Sequence, residues 1–350
     1  MPPRKAPSKR RVSRGFSEKH RGRRKVGETL RFLFSRTNGA SRKRARQALA
    51  RIFLQRQRRF LRSRFRRWLP PHGGDSKICI RRGSLEVRLA TRLFEVKASQ
   101  SLRYKVFYKE MNATASAGAR ITRRDKDHFD RLCDHLLVID HEAGSRGIPL
   151  LRGRRGRIVG TYRLLPQAVA EVTGGFYTQD EYDLRPLIAR HPDLNFVELG
   201  RSCVLKPYRT KQPIEMLWQG IWQYVHAYDL DVMIGVASLE GTSTGDVALP
   251  LSFLHHHARA PQKWDVKALP SRYVEMNLIP KDEIDMRQAM RALPPLIKGY
   301  LRLGAYIGNG AVIDHQFGTT DVAIILPVSN ISERYKARFE AEARASAQTD

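Results

Sequence analysis

Cysteine is scarce in this chain. Cys79, Cys133 and Cys203 are odd in number, far apart, and form no CxxC pair. That excludes a disulfide framework and a zinc cluster, and it fits a reducing compartment. No run of about 18 apolar residues occurs, so no membrane span is predicted. The N-terminus is basic but lacks the apolar segment of a secretory signal, which places the expected work inside the cell. Acidic residues are scarce at one end only. Residues 1–75 hold 25 Lys/Arg against 3 Asp/Glu, a net of +22 out of +30, whereas the remaining 275 residues carry a net of +8. A uniformly basic face for nucleic acid is therefore not expected on the main body. A basic arm on a nearly balanced body implies a tether to something anionic: membrane lipid, nucleic acid or an acidic protein.

The remaining composition, 41% apolar, supports a real core. Residues 1–40 have too little apolar surface to offset ordering entropy and are expected to be disordered in isolation. Residues 42–69 contain no Pro or Gly before Pro70. Ala45, Ala48, Leu49, Ile52 and Phe53 share one helical face, and Phe60, Leu61, Phe65, Trp68 and Leu69 share a rotated one. Aromatics among many arginines on a helix fit an interfacial membrane helix; docking on the main domain, or a solvated basic tail, is the plainer alternative. Pro70–Pro71 and Gly73–Gly74 read as a linker, giving a basic extension over 1–75 and one domain over 76–345.

Within that domain the texture alternates. Strands are predicted at Leu85–Leu89, His135–Asp140, Ile158–Leu165, Asn195–Val204, Val232–Ser238, Tyr273–Ile279, Ala311–Asp314 and Val322–Leu326. Helices are predicted through Leu102–Met111, from Pro213 onward, near Pro295–Leu303 and from about Ser332. The Pro213 helix carries Ile214, Leu217, Trp218, Ile221, Trp222 and Val225 at helical spacing. Residues 112–120 read as a loop. Several predicted strands are adjacent, so a mixed sheet flanked by helices, an α/β (mixed α+β) class, is expected rather than a purely parallel one.

The stretches LRYKVFYKEM, DKDHFDRLCDHLLVID, VGTYRLL and FVELGRSCVLKPYR resemble the L-ornithine Nα-acyltransferases of ornithine-lipid synthesis. So do LPPLIKGYLRLGAYIGNGAVID and FGTTDVAIIL, and the resemblance covers roughly residues 84–340. It implies a GNAT-like central mixed sheet and transfer of a 3-hydroxyacyl chain from acyl carrier protein to the α-amine of ornithine, forming lyso-ornithine lipid. It also implies similarity to acyl-homoserine-lactone synthases. In both families an Arg and a Phe on an early helix precede an acidic D-x-D-x-F-D element and an E-x-x-R strand. Here these are Arg103, Phe107, Asp125, Asp127, Phe129, Asp130, Glu198 and Arg201.

Aminolysis of a thioester needs a neutral amine, positioning and stabilisation of the oxyanion. Glu198 is the candidate base, provided burial raises its pKa; the alternative is a structural ion pair with Arg201. Three residues apart on one strand, the two side chains point to opposite faces unless a bulge intervenes, and GNAT-type folds place a bulge there. Asp125, Asp127 and Asp130 are candidates to receive the ammonium groups of ornithine, with helix capping as the alternative. Arg103 and Arg163 are candidates to clamp the substrate carboxylate or the donor phosphate, or to serve as structural pairs.

The loop Tyr208–Pro213 has no glycine, which argues against tight binding of coenzyme A at the following helix and suits phosphopantetheine carried on acyl carrier protein. Arg209 and Lys211 are candidates to contact that phosphate or acidic residues of the carrier. No tightly bound cofactor and no metal are expected: adjacent histidines at His255–His257 point in different directions. Cys203 reads as a small buried hydrophobe, and Gly304, Gly308 and Gly310 read as turns. Partners implied are acyl carrier protein, ornithine and an anionic membrane surface, for a cytoplasmic protein peripheral on the inner face of the plasma membrane; nucleic acid is not expected. The alternatives are an acyltransferase for another amine, including a homoserine-lactone type, or a membrane- or nucleic-acid-binding protein with an inactive GNAT-like body.

Overall fold

The computed structural model describes residues 78–143 and 156–339. The basic extension and the amphipathic helix expected at 42–69 lie outside the described residues. Strands β1 (Cys79–Arg82) and β2 (Leu85–Leu89) form a hairpin, followed by helix α1 (Leu93–Tyr104), which continues as a π-helical stretch over Lys105–Glu110. The Glu95 carboxylate caps α1 by accepting from the Thr91 and Arg92 N–H groups at 2.8 and 3.2 Å. A short helix α2 (Ala117–Thr122), capped by Ser116, occupies the end of the expected loop. Next come β3 (Asp134–Asp140), β4 (Arg157–Pro166), α3 (Gln167–Thr173), β5 (Tyr182–Asp183), α4 (Arg185–Arg190) and β6 (Phe196–Val204). The second half holds α5 (Lys211–Ala227), β7 (Val232–Glu240), α6 (Ala248–His257), β8 (Lys267–Ala268), α7 (Met286–Ala292), α8 (Pro295–Arg302), β9 (Tyr306–Asp314) and β10 (Thr319–Pro327). Residues 333–339 are helical.

The strands form one sheet in the order β1-β2-β3-β4-β6-β7-β10-β9-β8-β5. Among the described strand pairs only β6–β7 and β8–β9 are parallel, so the mixed GNAT-like sheet expected from the sequence is present. β3 is buried along its whole length because both faces are covered. Leu136 and Val138 enter the core that contains Leu217, Ile221, Trp222 and Val225 of α5. Leu137 and Ile139 pack with Val96 of α1. Alternation on a fully buried strand thus feeds two helical layers, and each fully buried Leu or Ile contributes about 1.5–3 kcal/mol.

Two expectations are corrected. The strand predicted at Tyr273–Ile279 is absent; only Val274 bridges the sheet, opposite Ala311. The backbone there is instead held by Ser252, whose Oγ accepts from the Leu278 and Ile279 N–H groups and donates to the Met276 carbonyl. An alternating pattern does not separate a strand from a loop that buries every other side chain. Gly304 does occupy a turn, but Gly308 and Gly310 lie inside β9, where the register with β10 shifts between Val322 and Ile324. Gly310 has φ +83°, and a Cβ there would stand 2.4 Å from the Tyr273 ring, so both backbone and space demand glycine.

Candidate active site

The register of β4 against β6 pairs Arg163 with Gly200 and Thr161 with Cys203, leaving Arg201 and Ser202 opposite Tyr162 alone. This is the β-bulge on which joint action of Glu198 and Arg201 depended. Arg201 adopts φ +52° within it, a conformation that a non-glycine residue holds only where its surroundings fix it.

Its surroundings do so. The Arg201 guanidinium lies 4.7 Å from the centre of the Tyr177 ring and 5.0 Å from that of Phe317. It also meets Asp125 at 3.4 Å and Asp127 at 3.5 Å. Those carboxylates belong to a larger network. Arg103, with 0% of its surface exposed, donates through Nε to Asp125 at 2.8 Å and through Nη2 to Asp130 at 2.9 Å. Arg163 donates through Nη1 to both Asp127 oxygens at 2.7 Å. Burial by itself would push the Asp130 carboxyl up, but the hydrogen bond and charge of Arg103, joined by Arg163, outweigh it and hold the group at about 2. Three arginines and three aspartates thus neutralise one another, the condition under which buried charges are tolerated. The capping role is also present: Asp127 accepts from the Asp130 N–H, and Asp130 accepts in return from the Asp127 N–H.

Six of the residues singled out in the sequence are therefore brought together. Phe107, on the π-helical stretch, reaches the same place from another side, its ring 5.5 Å from Phe317 in an edge-on contact.

Glu198 is buried at 4% exposure and faces a different set of groups. Its carboxylate accepts from the Tyr177 N–H at 2.8 Å, the Thr178 N–H at 2.7 Å and the Thr178 hydroxyl at 2.5 Å. Burial raises its pKa, and the Thr178 and Tyr177 hydrogen bonds resist the rise. Two carboxylate oxygens offer about four acceptor sites, so three donors leave one. Glu198 thereby fixes the short turn that carries Tyr177 against Arg201.

Glu198 also marks where the sheet opens. β6 and β7 pair only through Phe196–Val232, Val197–Met233 and Glu198–Ile234. Beyond that point they part, and Gly235 stands at the fork, where a Cβ would come within 2.4 Å of the Leu199 carbonyl oxygen. From the end of β6 a turn over Lys206–Tyr208 leads into the N-terminus of α5. Arg209, on this loop, donates to Glu110 at 2.6 Å and to the Val204 carbonyl at 2.9 Å. Lys211 extends over Glu215 at 3.8 Å and is largely exposed.

A family model described as Acetyltransferase (GNAT) domain matches residues 102–219, the span from α1 to the middle of α5. The chain is 50% identical over 270 residues to an L-ornithine N(alpha)-acyltransferase of Brucella abortus (strain 2308), covering 77% of this chain and 94% of that one. A protein of the same name from Agrobacterium fabrum is 49% identical, with 75% of this chain and 87% of that one covered. One from Rhodobacter capsulatus is 39% identical, over 72% and 93%. The chain belongs to the L-ornithine Nα-acyltransferase family. It is an N-acyltransferase with a GNAT-like body, and among its described residues no helix is long and apolar enough to cross a membrane.

One group of residues was not singled out from the sequence. Glu181, Asp314 and Asp321 each offer a carboxylate oxygen, and these oxygens lie within 4.8 Å of one another. Asp314 and Asp321 flank the turn that presents Phe317 to Arg201, and Glu181 follows the turn held by Glu198. They come from segments more than 130 residues apart, Tyr182 being bonded to the Asp321 carbonyl across the sheet. Only the acidic residues themselves were visible beforehand, in YTQDEYD, AVID and GTTDVAI. Tyr177, Thr178 and Phe317 were missed for the same reason: each lies on a turn whose position the chain sets only on folding.

Proposed function

We propose that the chain transfers a 3-hydroxyacyl group from acyl carrier protein to the α-amine of ornithine, forming lyso-ornithine lipid. The observation that carries this reading is the 50% identity to a protein named L-ornithine N(alpha)-acyltransferase over 94% of that protein's length. In the reaction the amine nitrogen attacks the thioester carbonyl, a C–N bond forms, and the C–S bond breaks to release the phosphopantetheine thiol. The nitrogen sheds one proton to a base, and the thiolate takes up another.

The geometry supports such a step. The fork between β6 and β7 leaves strand edges free beyond Glu198, and an extended pantetheine arm with its two amides suits such edges, as peptides do that add to a sheet. Arg209 and Lys211, at the mouth beside the α5 N-terminus, suit its single phosphodiester and the acidic carrier. Glu198 keeps one acceptor site with which to take the proton, directly or through water. Arg201, whose Nε faces Asp125 at 3.4 Å without closing a hydrogen bond, is the group that meets the substrate carboxylate, while Arg103 and Arg163 hold the aspartates that aim it. No tightly bound cofactor is required, because the thioester is already activated.

The basic extension tethers the enzyme to an anionic membrane surface on the cytoplasmic side, where its product would partition. The net +22 of residues 1–75 supports this.

The experiment is direct. Purified protein is incubated with 3-hydroxyacyl-loaded acyl carrier protein and a panel of amino acids, and N-acyl products are identified by mass spectrometry. An ornithine product is expected. A product with another amino acid alone changes the acceptor, and none with any amine overturns the reading.

A further inference from the structure

We propose that Glu181, Asp314 and Asp321 form the subsite for the side-chain ammonium of the acceptor, the amine that does not react. The inference rests on the reading of the chain as an ornithine N-acyltransferase and adds the residues that select a diamino acid.

Proximity of the three carboxylates is one observation; the state of Glu181 is another. Glu181 is only 3% exposed, yet among the described residues its Oε2 has no hydrogen-bond partner, and its one ion-pair partner there, Arg272, stands 3.7 Å from Oε1. A buried carboxylate with an orphan oxygen is costly to maintain. Across the site, Asp125, Asp127 and Asp130 each have arginine partners, and Asp130 also accepts from Gln100. Two acidic clusters in one region thus differ in one respect: the first is matched by cations in the protein, and the second is left short of positive charge. Arg272 pairs with Glu181 alone of the three. Arg201, the other nearby cation, faces Asp125 and Asp127 and, in the proposed reaction, the substrate carboxylate.

The chemistry of the reaction decides which amine belongs there. Surrounding carboxylates stabilise an ammonium and raise its pKa, whereas the attacking amine has to be neutral. An ammonium bound there favours the ionised form of Glu181, and the three carboxylates at one point would then hinder the α-amine and suit the δ-ammonium. The neutral Arg–Asp network beside them creates no such bias. Position agrees: the hairpin bearing Asp314 and Asp321 also carries Phe317, which touches Arg201 and Phe107. The cluster therefore flanks the proposed reaction centre.

The test compares ornithine with norvaline, which has the same carbon chain without the δ-amine, as acceptors for the wild type, Glu181→Gln and Asp321→Asn in the full-length protein. The quantity read is the ratio of kcat/KM for the two amino acids within each preparation, so partial unfolding of a variant cancels. The wild-type ratio should strongly favour ornithine, and each variant should lower it at least tenfold through the KM for ornithine. An unchanged ratio with active variants overturns the inference and leaves the acyltransferase reading intact. A wild type that acylates neither amino acid instead removes the reading on which it rests. A wild-type preference that collapses on adding EDTA would assign the carboxylates to a metal ion and likewise overturn it.

Discussion

The backbone N–H of Tyr177 donates to Glu198 while the Tyr177 ring lies against Arg201, 4.7 Å from its guanidinium carbon. One residue therefore couples the proposed base to the bulge arginine, although the two do not pair with each other. Glu198→Gln replaces one acceptor oxygen with an NH2 group that has to face a donor. If Glu198 takes the proton, the acidic limb of the pH–rate profile should disappear along with a fall in kcat. A lowered plateau with an unchanged profile would show that Glu198 only holds the turn.

Arg201→Lys keeps the charge but loses the planar fork and much of the stacking between Tyr177 and Phe317. Arg and Lys are not equivalent at such a site. We expect kcat/KM for ornithine to fall roughly 100-fold, the scale of a lost hydrogen bond between charged groups, with the circular dichroism spectrum retained. A change of less than about threefold would remove Arg201 from the substrate contacts.

Glu181 makes a prediction about stability with a definite sign. Burial, with the charge of Asp321 and Asp314, pushes its carboxyl up to about 8 against the opposing pull of Arg272 and Arg201. Between the ordinary carboxyl range and that value the folded protein holds a proton that the unfolded chain has released. Stability is therefore lost as pH rises through this window. Glu181→Gln has no such loss. Its Tm relative to wild type should rise by roughly 2–5 °C between about pH 5 and about pH 8.5 without ligand. Equal Tm differences at both pH values would refute the assignment. A variant that is sturdier and less selective is the signature of a site kept under strain for its ligand.

Gly235→Ala sets a methyl group against the Leu199 carbonyl, 2.4 Å away without relaxation. Overpacking of this kind costs about 1–3 kcal/mol. Because the shift falls at the fork, KM for the acyl carrier protein donor should rise more than KM for ornithine. Equal rises would mean that the fork does not hold the donor.

For the basic extension, co-flotation with vesicles containing anionic lipid should be strong at about 0.05 M salt and largely lost by about 0.5 M, as screening requires. Salt-insensitive binding to neutral vesicles would refute an electrostatic tether. Deleting residues 1–70 should abolish flotation while leaving acyl transfer in detergent intact.

Much of the fold was legible because local signals agreed with one another. The apolar run of HLLVID, the helical spacing of Leu217, Ile221 and Val225, and the FVELGRSCV strand all appear where expected. The region 270–284 was not legible, since Ser252, far away in sequence, satisfies its backbone. The arginines and aspartates of the site could be named from motif order, but their mutual neutralisation could not, because it depends on which strands become neighbours. The carboxylate cluster was invisible for the same reason: a lone acidic residue near a strand end reads as solvated surface until folding buries it.

Among the described residues, the β6–β7 ladder that joins the two five-strand halves of the sheet runs over only three residue pairs. The Arg–Asp network is anchored in the first half and the turn bearing Phe317 in the second, so the proposed site straddles a seam. A donor lying in the fork would act as a missing rung, bonding both halves at once. Loading the enzyme would then align the two sides of the site against each other, making the first substrate a structural part of the machine that receives the second.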